Sequence, residues 1–228
     1  SQSINTMASH LDLEEQEQLD ELKHFWKRWG DLITWVLIVV LGGYATWMGW
    51  QSYQGKQAAQ AAALYDTVER AALSNDAALL DRSVTDIKDK FASTTYAQQA
   101  ALLAARVYND TDRKTDSKTQ LTWVIDKASD EGYQALARLR LASILVEDKA
   151  YDDARKQLTA KTPDAFTPLM ADRLGDLAML QAQPAEAVQH YKNAWKGFEP
   201  NAEYRRLVAV KLAALGADPE EPVVESKK

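Results

Sequence analysis

The chain has 228 residues, 27 of them Lys or Arg and 33 Asp or Glu, for a formal net charge of −6 at pH 7. That balance gives nucleic-acid binding no electrostatic support. The absence of cysteine excludes disulfides, thiol catalysis and most zinc sites, and it fits an oxidising compartment where a stray thiol is a liability.

Residues 11–29 begin acidic (Asp12, Glu14, Glu15, Glu17, Asp20 and Glu21) and end basic and aromatic. Leu19, Leu22, Trp26 and Trp29 recur at three- and four-residue steps, the pattern of a short amphipathic helix. Residues 1–30 therefore read as a cytoplasmic segment with a pre-membrane helix. It is either a solvated tail or a docking or degradation-control element.

Residues 31–53 are predicted to form a transmembrane helix. Residues 32–55 are 24 positions without a charge, and the first 19 of them (LITWVLIVVLGGYATWMGW) are almost wholly apolar. Nineteen helical residues rise about 28 Å, close to the hydrocarbon thickness of a bilayer. Trp26, Trp29 and Trp35 mark one end of the run, and Trp47, Trp50 and Tyr53 the other. Trp29 and Trp50 fall about 31 Å apart, so each indole suits a headgroup belt. Lys23, Lys27 and Arg28 precede the span, whereas Lys56 stands alone after it until Arg70. This bias keeps the N-terminus cytoplasmic and sends the rest of the chain across. The apolar stretch is too long for a cleavable signal peptide, so an uncleaved signal anchor is expected. Gly42, Ala45, Thr46 and Gly49 share one helical face, a candidate packing surface for another membrane helix. The span holds no charge to carry ions or protons.

Residues 56–228 carry 24 basic and 26 acidic side chains, a nearly neutral domain long enough for one buried core. Apolar positions recur at three and four residues without sustained alternation, so helices are expected and strands are not. Breaks fall near Ser74-Asn75-Asp76, Ser93-Thr94-Thr95, residues 109–116, residues 129–132, residues 147–150, Thr162-Pro163, Gln183-Pro184 and Glu199-Pro200. These turn and cap chemistries leave about nine helices over residues 54–216. The remainder, 217–228, has a Gly stop, two prolines and mixed charge, and reads as a disordered tail.

Internal repetition gives the helices an architecture. Leu141, Ala142, Leu145, Tyr151, Ala154 and Leu158 match Leu174, Gly175, Ala178, Pro184, Ala187 and Tyr191, each pair offset by 33. A weaker copy upstream sets Ala105, Tyr108, Ser117 and Leu121 ahead of Ala142, Leu145, Ala154 and Leu158 by 37. The copy from Leu174 reads L-G-x2-A…A-x3-Y-x2-A, with Ala194 completing it, and resembles the tetratricopeptide consensus. The fold class is therefore all-α: a single transmembrane helix followed by a degenerate tetratricopeptide-repeat-like α-solenoid. Leu141, Ala142, Ala154, Leu158, Leu174, Gly175, Ala187 and Tyr191 are the expected packing positions. A ligand groove would be lined by the first helix of each pair, with Gln134, Arg138, Asp172 and Arg173 expected to face outward.

Catalytic constellations are missing from the sequence. Of the three histidines, His10 and His24 fall in the N-terminal segment, and His190 stands between packing positions. We find no His pair, no H-E-x-x-H, no His–carboxylate spacing, no G-x-S-x-G, no Walker loop and no G-x-G-x-x-G. The acidic pairs Glu147-Asp148 and Asp152-Asp153 sit at predicted turns or helix starts, where carboxylates cap amides. No enzyme, metal or cofactor is expected.

The layout as a whole is that of a known family. An acidic segment ending in LKHFWKRWGD leads into one Gly-containing anchor, and AAALYDTVERA then opens the degenerate repeat domain. Over residues 7–217 this resembles the YfgM family, ancillary subunits of the bacterial SecYEG translocon. The resemblance implies a single-pass inner-membrane protein with a periplasmic helical domain. It further implies bridging of the channel to periplasmic chaperones, notably the membrane-anchored PpiD, and handling of translocating polypeptides. The family brings no catalytic residues. Two other readings keep the same fold: a repeat adaptor of another envelope machine (outer-membrane protein assembly or cell division), and an inverted topology with cytoplasmic repeats.

Overall fold

A computed structural model of the chain describes the backbone of residues 5–220 and the side chains of residues 13–220. Among the described residues every regular element is helical. In chain order they are α1 (Asn5–Leu73), α2 (Ala77–Phe91), α3 (Thr95–Asp110), α4 (Lys114–Lys127), α5 (Glu131–Glu147), α6 (Tyr151–Thr159), α7 (Thr167–Leu180), α8 (Pro184–Gly197) and α9 (Glu203–Ala214), with a 3-10 turn at Asp164–Phe166 before α7. The chain divides into two compact units, Ser1–Lys56 and Gln57–Lys228.

In the first unit the large apolar side chains from Leu32 to Tyr53 are solvent-exposed with one exception, Ile33, which is half-buried. The segment Leu13–Leu73 includes a run apolar and long enough to cross a membrane once, by length and composition. Its one buried residue before Lys56 is Gly30, where an added Cβ would approach the Trp26 indole to 3.2 Å.

The second unit is built from helix pairs that pack on their sequence neighbours. Breaks fall at every turn the sequence marks, and local chemistry explains each. Asp76 caps α2 by accepting from the Leu79 N–H at 3.1 Å, and Thr94 caps α3 through the Ala97 N–H at 3.3 Å. Asp130 accepts from the N–H groups of Gly132 and Tyr133 at 2.7 and 3.1 Å. Pro168 and Pro184 open α7 and α8, where the missing N–H costs nothing. Asp218 accepts from the Glu220 N–H at 2.9 Å, and the predicted tail lies outside the described residues from 221 onward.

The turns closing the odd-numbered helices share one geometry. Asn75, Asp112, Lys149, Ala182 and Gly216 all have positive φ, between 52° and 70°. The next residue in each case donates its N–H back five positions: Asp76 to Ala71, Arg113 to Tyr108, Ala150 to Leu145, Gln183 to Ala178 and Ala217 to Leu212, at 2.7 to 3.0 Å. That is the Schellman closure, which normally selects glycine; four of the five positions here lack it. The spacing of the left-handed residues, 37, 37, 33 and 34, is the repeat itself. It exposes one more copy than the sequence had: Val68, Ala71, Leu80 and Val84 precede Ala105, Tyr108, Ser117 and Leu121 by 37.

Four consecutive apolar clusters fill the stack. The first joins Ala61, Val68 and Ala71 to Leu80, Val84, Ile87, Ala100 and Ala104. The second uses the other side of α3 (Ala101, Ala105) with Leu121, Val124, Ala137 and Leu141. The third holds Ala142, Ala154, Leu158, Met170, Leu174 and Leu177, and the fourth Ala178, Ala187, Tyr191, Ala194, Val208 and Leu212. Helices α3, α5 and α7 each serve two clusters, and in α3 and α5 alanine on both flanks is what lets one helix be gripped from two sides.

Candidate functional site

The eight predicted packing positions of the repeat are all buried, Ala154 and Ala187 completely. Gly175 and Tyr191 meet most closely: a Cβ on Gly175 would come within 3.0 Å of three Tyr191 ring carbons. The Tyr191 hydroxyl donates to Asp176 Oδ1 at 2.6 Å. Burial, and then that carboxylate, push the phenol well above its ordinary value.

The four groove candidates fare differently. Gln134 donates to the Ala128 carbonyl at 2.6 Å, and Arg138 donates to Gln157 at 2.8 Å, so both are engaged within the stack. Arg173 is partly exposed and lies 3.5 Å from both Asp172 and Asp176. Asp172 overturns the expectation: its residue is 1 % exposed rather than outward. The reason is a partner 39 positions later, Lys211 of α9, whose Nζ donates to Asp172 and to Asp176 at 2.8 Å each. Burial alone would lower Lys211, but the two carboxylates outweigh it and hold its pKa above the ordinary value. His190 brings a second correction, because Glu186 stands one turn before it and lies 3.3 Å from its Nε2. Glu186 also accepts from Arg155 at 2.8 Å, so this His–carboxylate pair is part of an inter-helix staple.

Several other charges are spent in the same way. Lys114 reaches Glu147 at 2.8 Å and Lys118 reaches Asp148 at 2.6 Å, tying α4 to the end of α5. Asp81 accepts from Tyr108 at 2.5 Å and from Arg113 at 3.0 Å, with the guanidinium 4.3 Å from the centre of the Tyr108 ring. Among the described residues no three His, Cys, Asp or Glu side chains gather as a metal-binding set.

Beside a smaller cavity between Ala71, Leu80 and Tyr108, two adjoining openings lie along α3, α5 and α7. A cavity of about 230 Å³ is bounded by Arg106 and Asn109 of α3, Ser117 of α4, and Arg140, Ser143 and Glu147 of α5. A second, of about 300 Å³, shares Ser143 and Glu147, and its wall joins the apolar Leu139, Val146, Leu177 and Leu180 to the charged Arg173 and Asp176. Arg140 donates to the Leu102 carbonyl at 3.2 Å, which braces it across α3. Neither Arg106 nor Arg140 has a carboxylate partner among the described residues. Sequence reasoning passed over both: Arg106 falls where the next two copies have Ser143 and Asp176, and Arg140 went unremarked although the following copy repeats it as Arg173.

Comparison with known proteins bears on the whole chain. Residues 23–217 match the family model for a tetratricopeptide repeat-like domain. A Neisseria gonorrhoeae protein named ancillary SecYEG translocon subunit is 32% identical over 213 residues, covering 92% of this chain and 100% of that relative. The chain belongs to the YfgM family. Proteins of the same name from Haemophilus influenzae and Escherichia coli are each 25% identical, over 182 and 185 residues, covering 80% of this chain and 89% and 85% of theirs. The YfgM repeat domain thus accounts for the fold and for the packed positions, and the paired cavities lie on its surface.

Proposed function

We propose that the chain is a non-catalytic, single-pass inner-membrane subunit ancillary to the SecYEG translocon. Residues 1–30 lie in the cytoplasm, 31–53 cross the bilayer, and the repeat domain of 54–216 stands in the periplasm. There it links the channel to a PpiD-type membrane-anchored chaperone and helps handle emerging polypeptides. The observation that carries this reading is the full-length match to relatives that bear the translocon name. The Lys/Arg bias around the span supports the orientation.

The membrane contact we assign to Gly42, Ala45, Thr46 and Gly49. A Cβ at Gly42 or Gly49 would meet nothing within 4 Å, so the face is open to a neighbouring helix. The Thr46 hydroxyl donates to the Gly42 carbonyl at 2.8 Å, which leaves no unsatisfied polar group on that face in lipid.

A reporter enzyme active only in the periplasm, fused after Lys228, tests the topology; silence there refutes it. A photocrosslinker at Gly49 or Ser143 is expected to capture translocon or PpiD-type subunits. Capture of outer-membrane assembly or division proteins instead transfers the chain to the adaptor reading. Paired Gly42→Leu and Gly49→Leu substitutions should abolish co-purification while the protein still resists an alkaline carbonate wash.

A further inference from the structure

Two arginines border one cavity without an acidic partner among the described residues. Arg106 is exposed and makes no ion pair, and Arg140 is half-buried with a single bond to the Leu102 carbonyl. The one carboxylate beside them, Glu147, is already taken by Lys114 at 2.8 Å. Arg113, Arg155, Lys114, Lys118 and Lys211 hold carboxylates, whereas Arg106 and Arg140 stand unmatched side by side in the wall of one cavity. Burial first, and the neighbouring Arg106 cation second, lower the pKa of Arg140, which an added anion would relieve.

We propose that this cavity binds an acidic peptide segment, seating a carboxylate between Arg106 and Arg140 and an adjacent apolar side chain in the second cavity. The volumes, about 230 and 300 Å³, each admit one side chain, and the two spaces meet at Ser143 and Glu147. Guanidinium–carboxylate bonds supply orientation as well as attraction. A further group favours a peptide over a phosphate or an anionic lipid. The buried Asn109 side-chain oxygen has no hydrogen-bond partner, and it needs an N–H donor. A turn of that amide toward the cavity meets a peptide N–H; a phosphodiester offers none. The site stands on these residues alone, whichever envelope machine the anchor serves.

The test pans the full chain, in zwitterionic detergent micelles, against a phage-displayed library of random heptapeptides. Enriched sequences are expected to carry Asp or Glu beside Leu, Met or Phe. A synthetic peptide of the enriched sequence should then bind about tenfold or more weakly to Arg106→Gln and to Arg140→Gln. Asp→Asn or Glu→Gln in the peptide should cause the same loss, and Arg106→Lys should restore part of it. Arg140 braces α3, so thermal melts accompany each variant. Arg106→Gln removes a side chain that holds nothing in the chain, and it decides the matter if Arg140→Gln unfolds. Enrichment without acidic residues, or peptide binding indifferent to Arg106→Gln, overturns the proposal. So does arginine-dependent flotation with phosphatidylglycerol vesicles when no peptide is enriched. Failure to co-purify with the translocon leaves this assay unaffected, so the two readings fail separately.

Discussion

Gly175→Ala puts helix propensity and packing in direct opposition. In an isolated helix the change stabilises by about 1 kcal/mol, because alanine restricts the unfolded chain and glycine does not. Here the new methyl falls within 3.0 Å of three Tyr191 ring carbons, so either the ring or α8 must retreat. Overpacking of this kind costs about 2 kcal/mol. A displaced ring also strains the 2.6 Å bond from its hydroxyl to Asp176, and a hydrogen bond to a charged acceptor contributes about 1.5 kcal/mol or more. Setting these against the propensity gain leaves a net destabilisation of about 2–3 kcal/mol. Repeat stacks unfold locally, so the readout should be local too: urea-dependent hydrogen exchange in α7 and α8 of the full chain. The double variant Gly175→Ala/Tyr191→Leu supplies the control. With the ring gone the methyl has room, and the double variant should be no less stable than Tyr191→Leu alone. A Gly175→Ala protein as stable as the parent, or a double variant showing simple additivity, would refute this account of the α7–α8 contact.

Three further outcomes are expected. Lys211→Met strands the buried Asp172 carboxylate beside a single 3.5 Å contact to Arg173, and should cost about 3 kcal/mol; adding Asp172→Asn should recover part of it, as urea midpoints will show. Ala182→Gly relieves a left-handed alanine at φ 57° and should stabilise by about 0.5–1 kcal/mol, whereas the same change at an ordinary helical alanine destabilises; exchange rates in α7 and α8 distinguish the two. Raised folded-state values at Lys211, Tyr108 and Tyr191 mean stability that is complete below their ordinary values of 10.5 and 10.0 and is lost as pH rises through the folded ones. Unfolding midpoints should therefore hold level from neutrality to about pH 9 and then fall, and Tyr191→Phe should reduce the alkaline slope.

Many helices and turns were legible because the break carries local chemistry: the Asp76 and Asp130 caps, and the prolines at 163 and 184. The offsets of 33 and 37 were legible where Ala and Leu recur, at Ala142, Ala154 and Leu158. The first copy escaped notice because Val68 and Leu80 stand where later copies have Ala, Ser or Gly, and residue identity hid a shared position. Asp172 was misread for a different reason. A helical face is judged from neighbours three and four residues away, but the partner that buries this carboxylate, Lys211, lies 39 residues on. The left-handed turns at Lys149 and Ala182 could not be read as such, because neither residue signals positive φ.

The open cavity was invisible for the same reason that the packing was plain. A repeat detector finds positions that recur, and positions recur when they meet the same neighbour in every copy. Arg106 stands where the next two copies have Ser143 and Asp176, and Arg140 occupies the place held by Leu103 in the copy before it. Stacking alone does not ask for a cation at the Arg106 place, since the next two copies are built without one, whereas the Arg140 place is filled again by Arg173 in the following copy. A charge that breaks the repeat, as Arg106 does, that lines a cavity, and that no acid among the described residues neutralises answers to something outside the stack. In a solenoid, departure from periodicity at a cavity wall is therefore a guide to a binding residue. By that criterion Arg106, the more exposed of the two, should govern the encounter with an acidic partner, and its loss should weaken the salt dependence of association.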